Sequence, residues 1–83
     1  MQLRIKSNIA VSDTGFVFNP GTGDSYSINP IGVEIIRWMK AAQTEAEIIS
    51  KLVEQYDTDN QTVEKDLYDF YNMLLQNQLA EKL

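Results

Sequence analysis

The stretch GFVFNPGTGDSYSINP, residues 15–30, contains the signals that decide the fold. It opens with a glycine and three consecutive strand-favouring residues, 16–18. The loop-forming residues Pro20, Gly21 and Gly23 come next. Residues 25–28, SYSI, then alternate polar and apolar side chains, which is the pattern of a half-buried strand. The stretch therefore predicts two antiparallel strands joined by a hairpin loop.

The residues upstream of this hairpin predict another strand that pairs with it. Ile9 and Val11 alternate with small or polar neighbours, and the turn cluster DTG at 13–15 separates them from the hairpin. Together the strands predict a three-stranded β-meander over residues 9–28. Residues 3–5, LRI, are expected to extend its first strand.

The remainder of the chain has the spacing and the cap residues of helices. Asn29 is a favoured N-cap residue, and Pro30 suits the first helical position, where its missing N–H costs nothing. Thr44 and Glu47 have the spacing of a capping box. The predicted helices span residues 30–41, 45–56 and 61–77, and residues 78–83 are expected to form a short tail.

The length and the order of these elements predict one small α+β domain. Eighty-three residues allow a single core, and chains of this size bury only about 60 to 65% of their unfolded surface. We therefore expect residues 1–83 to form one domain, with the meander followed by three helices. This order of elements is also found in winged-helix proteins.

The composition narrows the chemistry that the chain can perform. It has no Cys and no His, which removes thiolate nucleophiles, zinc thiolate sites and the commonest general base. We find no phosphate-binding loop, because no third glycine and no Gly-Lys-Ser/Thr follows Gly21-Thr22-Gly23. The acidic segment 57–60 lacks the glycine and the glutamate of a calcium loop. The sequence predicts a protein that is not an enzyme and that holds no cofactor or metal.

The hydropathy pattern predicts a soluble protein. No apolar run approaches the roughly 20 residues that cross a bilayer, and the start MQLRIKSN has no signal-peptide core. We expect a cytoplasmic protein without a membrane partner.

Nucleic-acid binding is the alternative function that the winged-helix order raises. A reader of DNA places basic or amide side chains on the recognition helix. The formal net charge of −5 opposes binding to phosphates. The last helix offers few such side chains among several carboxylates: Lys65, Asn72 and Gln76 lie beside Glu64, Asp66 and Asp69.

The last predicted helix carries a core stripe in 4-3-4 steps: Val63, Leu67, Phe70 and Leu74. A second apolar stripe, Tyr68, Tyr71 and Leu75, is displaced from it by one residue. One interpretation is that this stripe widens the core face of the helix. The other is that it lines a groove for a partner, because the tyrosine ring can contact an apolar surface while its hydroxyl group stays hydrated. The sequence leaves both interpretations open.

From residue 9 onward the chain resembles the PqqD family, named for a small protein in the synthesis of pyrroloquinoline quinone. The clearest matches are GFVFN at 15–19 and YSIN at 26–29. The chain departs from the family pattern at 41–43, AAQ, where an Asp-Gly turn is usual, and at 77–78, NQ, where a glycine usually precedes the final leucine. The other matching positions are Gly32, Ile35, Ile36, Thr44, Glu47, Ile48, Leu52, Tyr56, Val63, Asp66, Leu67, Phe70, Leu74 and Leu79.

The resemblance implies a winged-helix-like fold and a non-enzymatic role as a peptide chaperone, or RiPP recognition element. Such a domain binds the leader of a ribosomally made precursor peptide. It presents the peptide to a modifying enzyme, often a radical S-adenosylmethionine enzyme.

The resemblance also implies a binding site. In the family the leader adds as an extra strand to the third strand of the meander and lies against the third helix. That mode needs a sheet edge with free N–H and C=O groups, which a meander leaves. The same edge offers a pairing surface to a second copy, so a homodimer that competes with the peptide is an alternative. The expected peptide-binding residues are Ser25, Tyr26, Ser27 and Ile28 on the strand, and Tyr68, Tyr71 and Leu75 on the helix.

Overall fold

The structure is a computed structural model that describes residues 1–83. It confirms the predicted α+β class, with antiparallel strands followed by three helices. The helices begin and end within one residue of the predicted bounds. In chain order the elements are β1 (Leu3–Ile5), β2 (Ala10–Val11), β3 (Phe16–Asn19), β4 (Asp24–Ser27), α1 (Pro30–Lys40), α2 (Glu45–Tyr56), α3 (Asn60–Gln76) and β5 (Ala80–Lys82).

The meander forms a three-stranded antiparallel sheet in the order β2-β3-β4. Val17 of β3 lies opposite Val11 on one side and Tyr26 on the other. Val17 is fully buried, so this row of side chains faces the core. Phe16 and Phe18 point to the opposite face, because side chains alternate along a strand.

The two ends of the chain form a separate sheet that the sequence analysis missed. β1 pairs with β5 in antiparallel register, with Arg4 opposite Glu81. The prediction that residues 3–5 extend the meander is therefore wrong, as is the prediction that residues 78–83 form a tail. Leu3 and Ile5 are buried in the core, and the Arg4 guanidinium donates to the Glu81 carboxylate on the exposed face.

Side-chain caps fix where each helix starts. The Asn29 side chain accepts a hydrogen bond from the Gly32 N–H at 2.8 Å. The Thr44 hydroxyl and the Glu47 carboxylate form the predicted capping box before α2. Asp59 accepts from the Thr62 N–H at 2.7 Å, and this bond lowers the pKa of Asp59.

One hydrophobic core joins both sheets to all three helices. Its most completely buried members come from different elements: Val17 in β3, Ile36 in α1, Ile48 in α2, Leu74 in α3, and Leu79 beside β5. None of the helices is long and apolar enough to span a membrane.

Three non-glycine residues adopt the left-handed conformation: Asp57 ends α2, and the other two lie just after α1 and α3. Ala42 has φ 62° in the α1–α2 loop, and Gln78 has φ 58° just after α3. An L-residue with a Cβ pays a steric cost in this conformation, which glycine avoids.

We predict that Ala42→Gly raises the free energy of unfolding by about 1 kcal/mol, because it removes the left-handed penalty. Urea denaturation followed by circular dichroism measures this difference. Ala41→Gly is the matched control, since Ala41 has φ −82° and glycine there adds only unfolded-state entropy. Equal effects of the two substitutions would show that the turn at Ala42 carries no strain.

Candidate functional site

The outer edge of β4 has no strand beside it. β4 ends the sheet order, and no backbone hydrogen bond outside the strand ladder reaches Ser25 or Ser27. The Ile28 N–H donates to the Gly15 carbonyl at 2.7 Å, and antiparallel residues alternate in the direction of their backbone groups. The backbone N–H and C=O groups of Tyr26 therefore also face β3. The N–H and C=O groups of Ser25 and Ser27 point away from the sheet, which leaves two donors and two acceptors free.

This edge lacks the usual protection against strand pairing. Exposed edges are commonly blunted by lysine, proline, a bulge or a covering segment. β4 reads DSYS and carries neither lysine nor proline, and its only charge is Asp24 at the start. The edge is open to an extended chain.

Contacts near both ends of β4 place it alongside α3. A Cβ added at Gly32 would lie 2.3 Å from the Ile28 side chain and 3.1 Å from the Phe70 ring, so both side chains pack on this glycine. At the other end, the Asn19 side chain donates to the Gln78 carbonyl at 3.1 Å. Asn19 lies opposite Asp24, the first residue of β4. The end of β4 therefore lies near Phe70 in α3, and the strand that pairs with its start lies near Gln78, just after α3.

We name the surface between the end of β4 and α3 the β4–α3 groove and define it by Tyr26, Ile28, Phe70, Met73 and Asn77. All five side chains are half-buried. Phe70, Met73 and Asn77 follow at spacings of three and four, so they lie on one flank of the helix. Four of the defining side chains are aliphatic or aromatic, and the fifth, the Asn77 amide, donates to the Met73 carbonyl at 3.0 Å.

A cavity of about 320 Å³ opens where the groove meets the three helices. Asn29 lines it directly after Ile28, and Phe70 is shared by the groove and the cavity. An apolar side chain of a bound chain fits such a cavity. Its apolar lining comes mainly from Ile31, Ile35, Leu52, Val63, Leu67 and Phe70.

The three residues of the predicted helix stripe differ in exposure. Tyr71 is only 2% exposed and belongs to the core, so the expectation that its side chain lines a surface groove is wrong. Burial, with a smaller contribution from the Glu45 carboxylate, raises the pKa of Tyr71 to about 12. Tyr71 shares one flank of α3 with the other two predicted residues, because they are three and four positions away. Tyr68, which is 58% exposed, and Leu75, which is half-buried, share that flank.

The groove residues that the sequence analysis missed are Phe70 and Met73. Phe70 belongs to the core stripe of α3, whose 4-3-4 spacing predicts an interior position. The signal that indicates otherwise is Gly32, because a glycine inside a helix often marks a close approach by another side chain. Four predicted residues, Ser25 to Ile28, do lie at the β4 edge.

We predict that Tyr71→Ala lowers the free energy of unfolding by about 3 kcal/mol, as truncation of a buried aromatic does. Tyr68→Ala is the matched control on the same flank, and we expect it to change stability by less than about 0.5 kcal/mol. Chemical denaturation of both variants measures the difference. Similar stabilities would place Tyr71 on the surface and restore the predicted stripe.

No group of three or more acidic side chains comes together in an arrangement that would hold a metal ion. The site consists of backbone hydrogen-bonding groups and an apolar groove. Backbone groups at a sheet edge can pair with an extended polypeptide, and this pairing needs no ionisable group.

Two solved structures have the same fold. One, described as TbiB1 in complex with the TbiA(beta) leader peptide, aligns with a TM-score of 0.89 at 23% identity, over 96% of both chains. Another, a lasso peptide synthetase B1 complexed with the leader peptide, aligns with a TM-score of 0.86 at 18% identity, over 98% of this chain and 99% of that one. At these identities the likeness establishes the fold.

Sequence comparison identifies the family. No curated protein sequence matches the chain. The profile of the family described as coenzyme PQQ synthesis protein D (PqqD) matches residues 15–80, which include β3, β4 and all three helices. This match confirms the resemblance inferred from the GFVFN and YSIN segments. The chain therefore belongs to the PqqD family.

Proposed function

We propose that this protein is a non-catalytic recognition domain that binds the leader of a ribosomally made precursor peptide. The leader adds as an extra strand to the edge of β4, and the complex presents the peptide to a modifying enzyme. The observation that carries the proposal is the unprotected edge at Ser25 and Ser27 beside the β4–α3 groove. Family membership and the two leader-peptide complexes of similar fold support it.

The register of β4 determines how a bound peptide would be held. Ser25 and Ser27 each offer one N–H and one C=O, so four backbone hydrogen bonds can form with the peptide. The peptide residue opposite Tyr26 points to the core side, into the β4–α3 groove. The residues opposite Ser25 and Ser27 point to the outer face of the sheet. Backbone pairing gives register, and the side chains give selectivity.

The size of the site fits a temporary complex. One added strand and one groove bury less than about 1,200 Å² in total, which is the range of transient encounters. A carrier that hands its peptide to a modifying enzyme needs such reversible binding. A radical S-adenosylmethionine enzyme is the partner that the family resemblance favours.

The proposal is tested by calorimetric titration with a synthetic leader from the short precursor gene nearest to this gene. We expect a dissociation constant of roughly micromolar or lower, and weaker binding of a scrambled leader. A 20-base-pair DNA duplex at low salt is the comparison for the winged-helix alternative. No heat with the leader, or tight DNA binding that weakens steeply with salt, would overturn the proposal.

A further inference from the structure

The outer face of the three-stranded sheet exposes two aromatic rings. Phe16 is 56% exposed and Phe18 is 42% exposed, and both stand on the same face two residues apart on the central strand. Their cross-strand neighbours are Ala10, Ser25 and Ser27. No charged side chain lies among these five residues, although the chain carries a formal net charge of −5.

The register places this pair close to the free edge. Phe16 lies opposite Ser27, and Phe18 lies opposite Ser25. These are non-hydrogen-bonded pairs, in which side chains on one face approach each other most closely. Because serine is small, neither ring is covered on the side that faces the edge. Each phenylalanine and its opposite serine form a row across the sheet. A strand added to β4 would extend each row by one peptide side chain, which would lie next to the serine.

We propose that Phe16 and Phe18 are selectivity residues for the peptide, acting on the face opposite to the groove. This inference rests on the proposed function. The rings contact the peptide side chains that stand opposite Ser27 and Ser25, over the serines between them. The favoured peptide segment therefore has aromatic or long aliphatic residues at two positions, i and i+2, on either side of the residue that enters the groove.

The geometry limits which side chains can make this contact. Neighbouring strands are about 4.8 Å apart, so the Cβ atoms of a phenylalanine and of the peptide residue in the same row are roughly 10 Å apart. A small or β-branched side chain does not cross that gap, whereas a phenylalanine, tyrosine, leucine or methionine does. Aromatic pairs contribute about 0.5 to 1.5 kcal/mol beyond the area that they bury, which corresponds to about two- to twelvefold in affinity.

The test is a selection from a displayed library of random peptides, carried out on the wild-type chain and on the variant Phe16→Thr/Phe18→Thr. Threonine keeps strand propensity, and the exposed rings contribute little to the core. We expect the wild type to enrich aromatic, Leu and Met residues at i and i+2 by about three- to tenfold over the input. The variant should lose this enrichment. It should keep the wild-type preference at i+1, the peptide position whose side chain enters the β4–α3 groove. Leu83→Thr, at an exposed apolar residue just after β5 in the separate terminal sheet, should select as the wild type does.

A second variant tests the same contact with both rings in place. Ser27→Val fills the space between Phe16 and the peptide, so the preference opposite residue 27 should shift to smaller side chains. Identical preferences in the wild type and in both sheet variants would overturn the inference. Failure of the proposed function would give a different result. The wild type would then enrich no more peptides than Ser25→Pro, a variant that lacks the outward N–H.

Discussion

Ser25→Pro is expected to leave the fold intact and to weaken leader-peptide binding about thirtyfold or more. The Ser25 N–H points away from β3, so proline removes no bond of the sheet. It removes a donor to the peptide and leaves a peptide carbonyl without a partner. The combined loss of the bond and the desolvation of that carbonyl is about 2 kcal/mol, and 1.4 kcal/mol is a factor of ten.

Two control variants isolate the N–H as the cause. Ser25→Ala removes the hydroxyl but keeps the N–H, and should bind the leader as the wild type does. Val11→Pro removes an outward N–H from β2, at the opposite edge of the sheet. The Val11→Pro variant should also bind the leader with wild-type affinity. Calorimetric titration of folded variants gives the constants, and loss of binding in Val11→Pro alone would move the site to β2.

Gly15→Ala is expected to lower the free energy of unfolding by about 3 kcal/mol and to disrupt the start of the β3–β4 hairpin. Gly15 has φ 96°, a conformation that L-residues rarely adopt. A Cβ there would lie 2.6 Å from the backbone carbonyl oxygen of Ile28, the residue whose N–H donates to the Gly15 carbonyl, so the added methyl pushes the two ends of the hairpin apart. Both the strain and the clash contribute to the loss.

Gly23→Ala separates the strain from the clash. Gly23 also has a positive φ, 81°, but a Cβ added there meets no atom within 4 Å. We expect this variant to lose about 1 kcal/mol, from backbone strain alone. Thermal and urea unfolding compare the two variants. A loss at Gly15 no larger than that at Gly23 would show that the hairpin tolerates a side chain beside Ile28.

The local parts of the fold were predictable from the sequence because local residues determine them. The caps at Asn29 and Thr44 start their helices as predicted, since each side chain bonds to an N–H three residues away. The hairpin at 16–28 follows from a loop rich in glycine and from alternating side chains. These interactions need no knowledge of distant residues.

The parts that depend on distant residues were not predictable in the same way. β1 and β5 join residues at the two ends of the chain, and each has only three residues, too few for periodicity to identify a strand. On α3 the two apolar stripes differ by one residue. Which stripe is buried depends on where α2 and Gly32 lie, and so Tyr71 is in the core while Phe70 borders the groove.

Amide hydrogen exchange along β4, measured by NMR with and without the leader peptide, tests strand addition most directly. The Ser25 and Ser27 N–H groups point outward in the free protein, whereas the Tyr26 N–H faces β3. Binding should slow exchange at Ser25 and Ser27 by about tenfold or more, and should change Tyr26 much less. A bound leader that leaves exchange at Ser25 and Ser27 unchanged would contradict strand addition to β4.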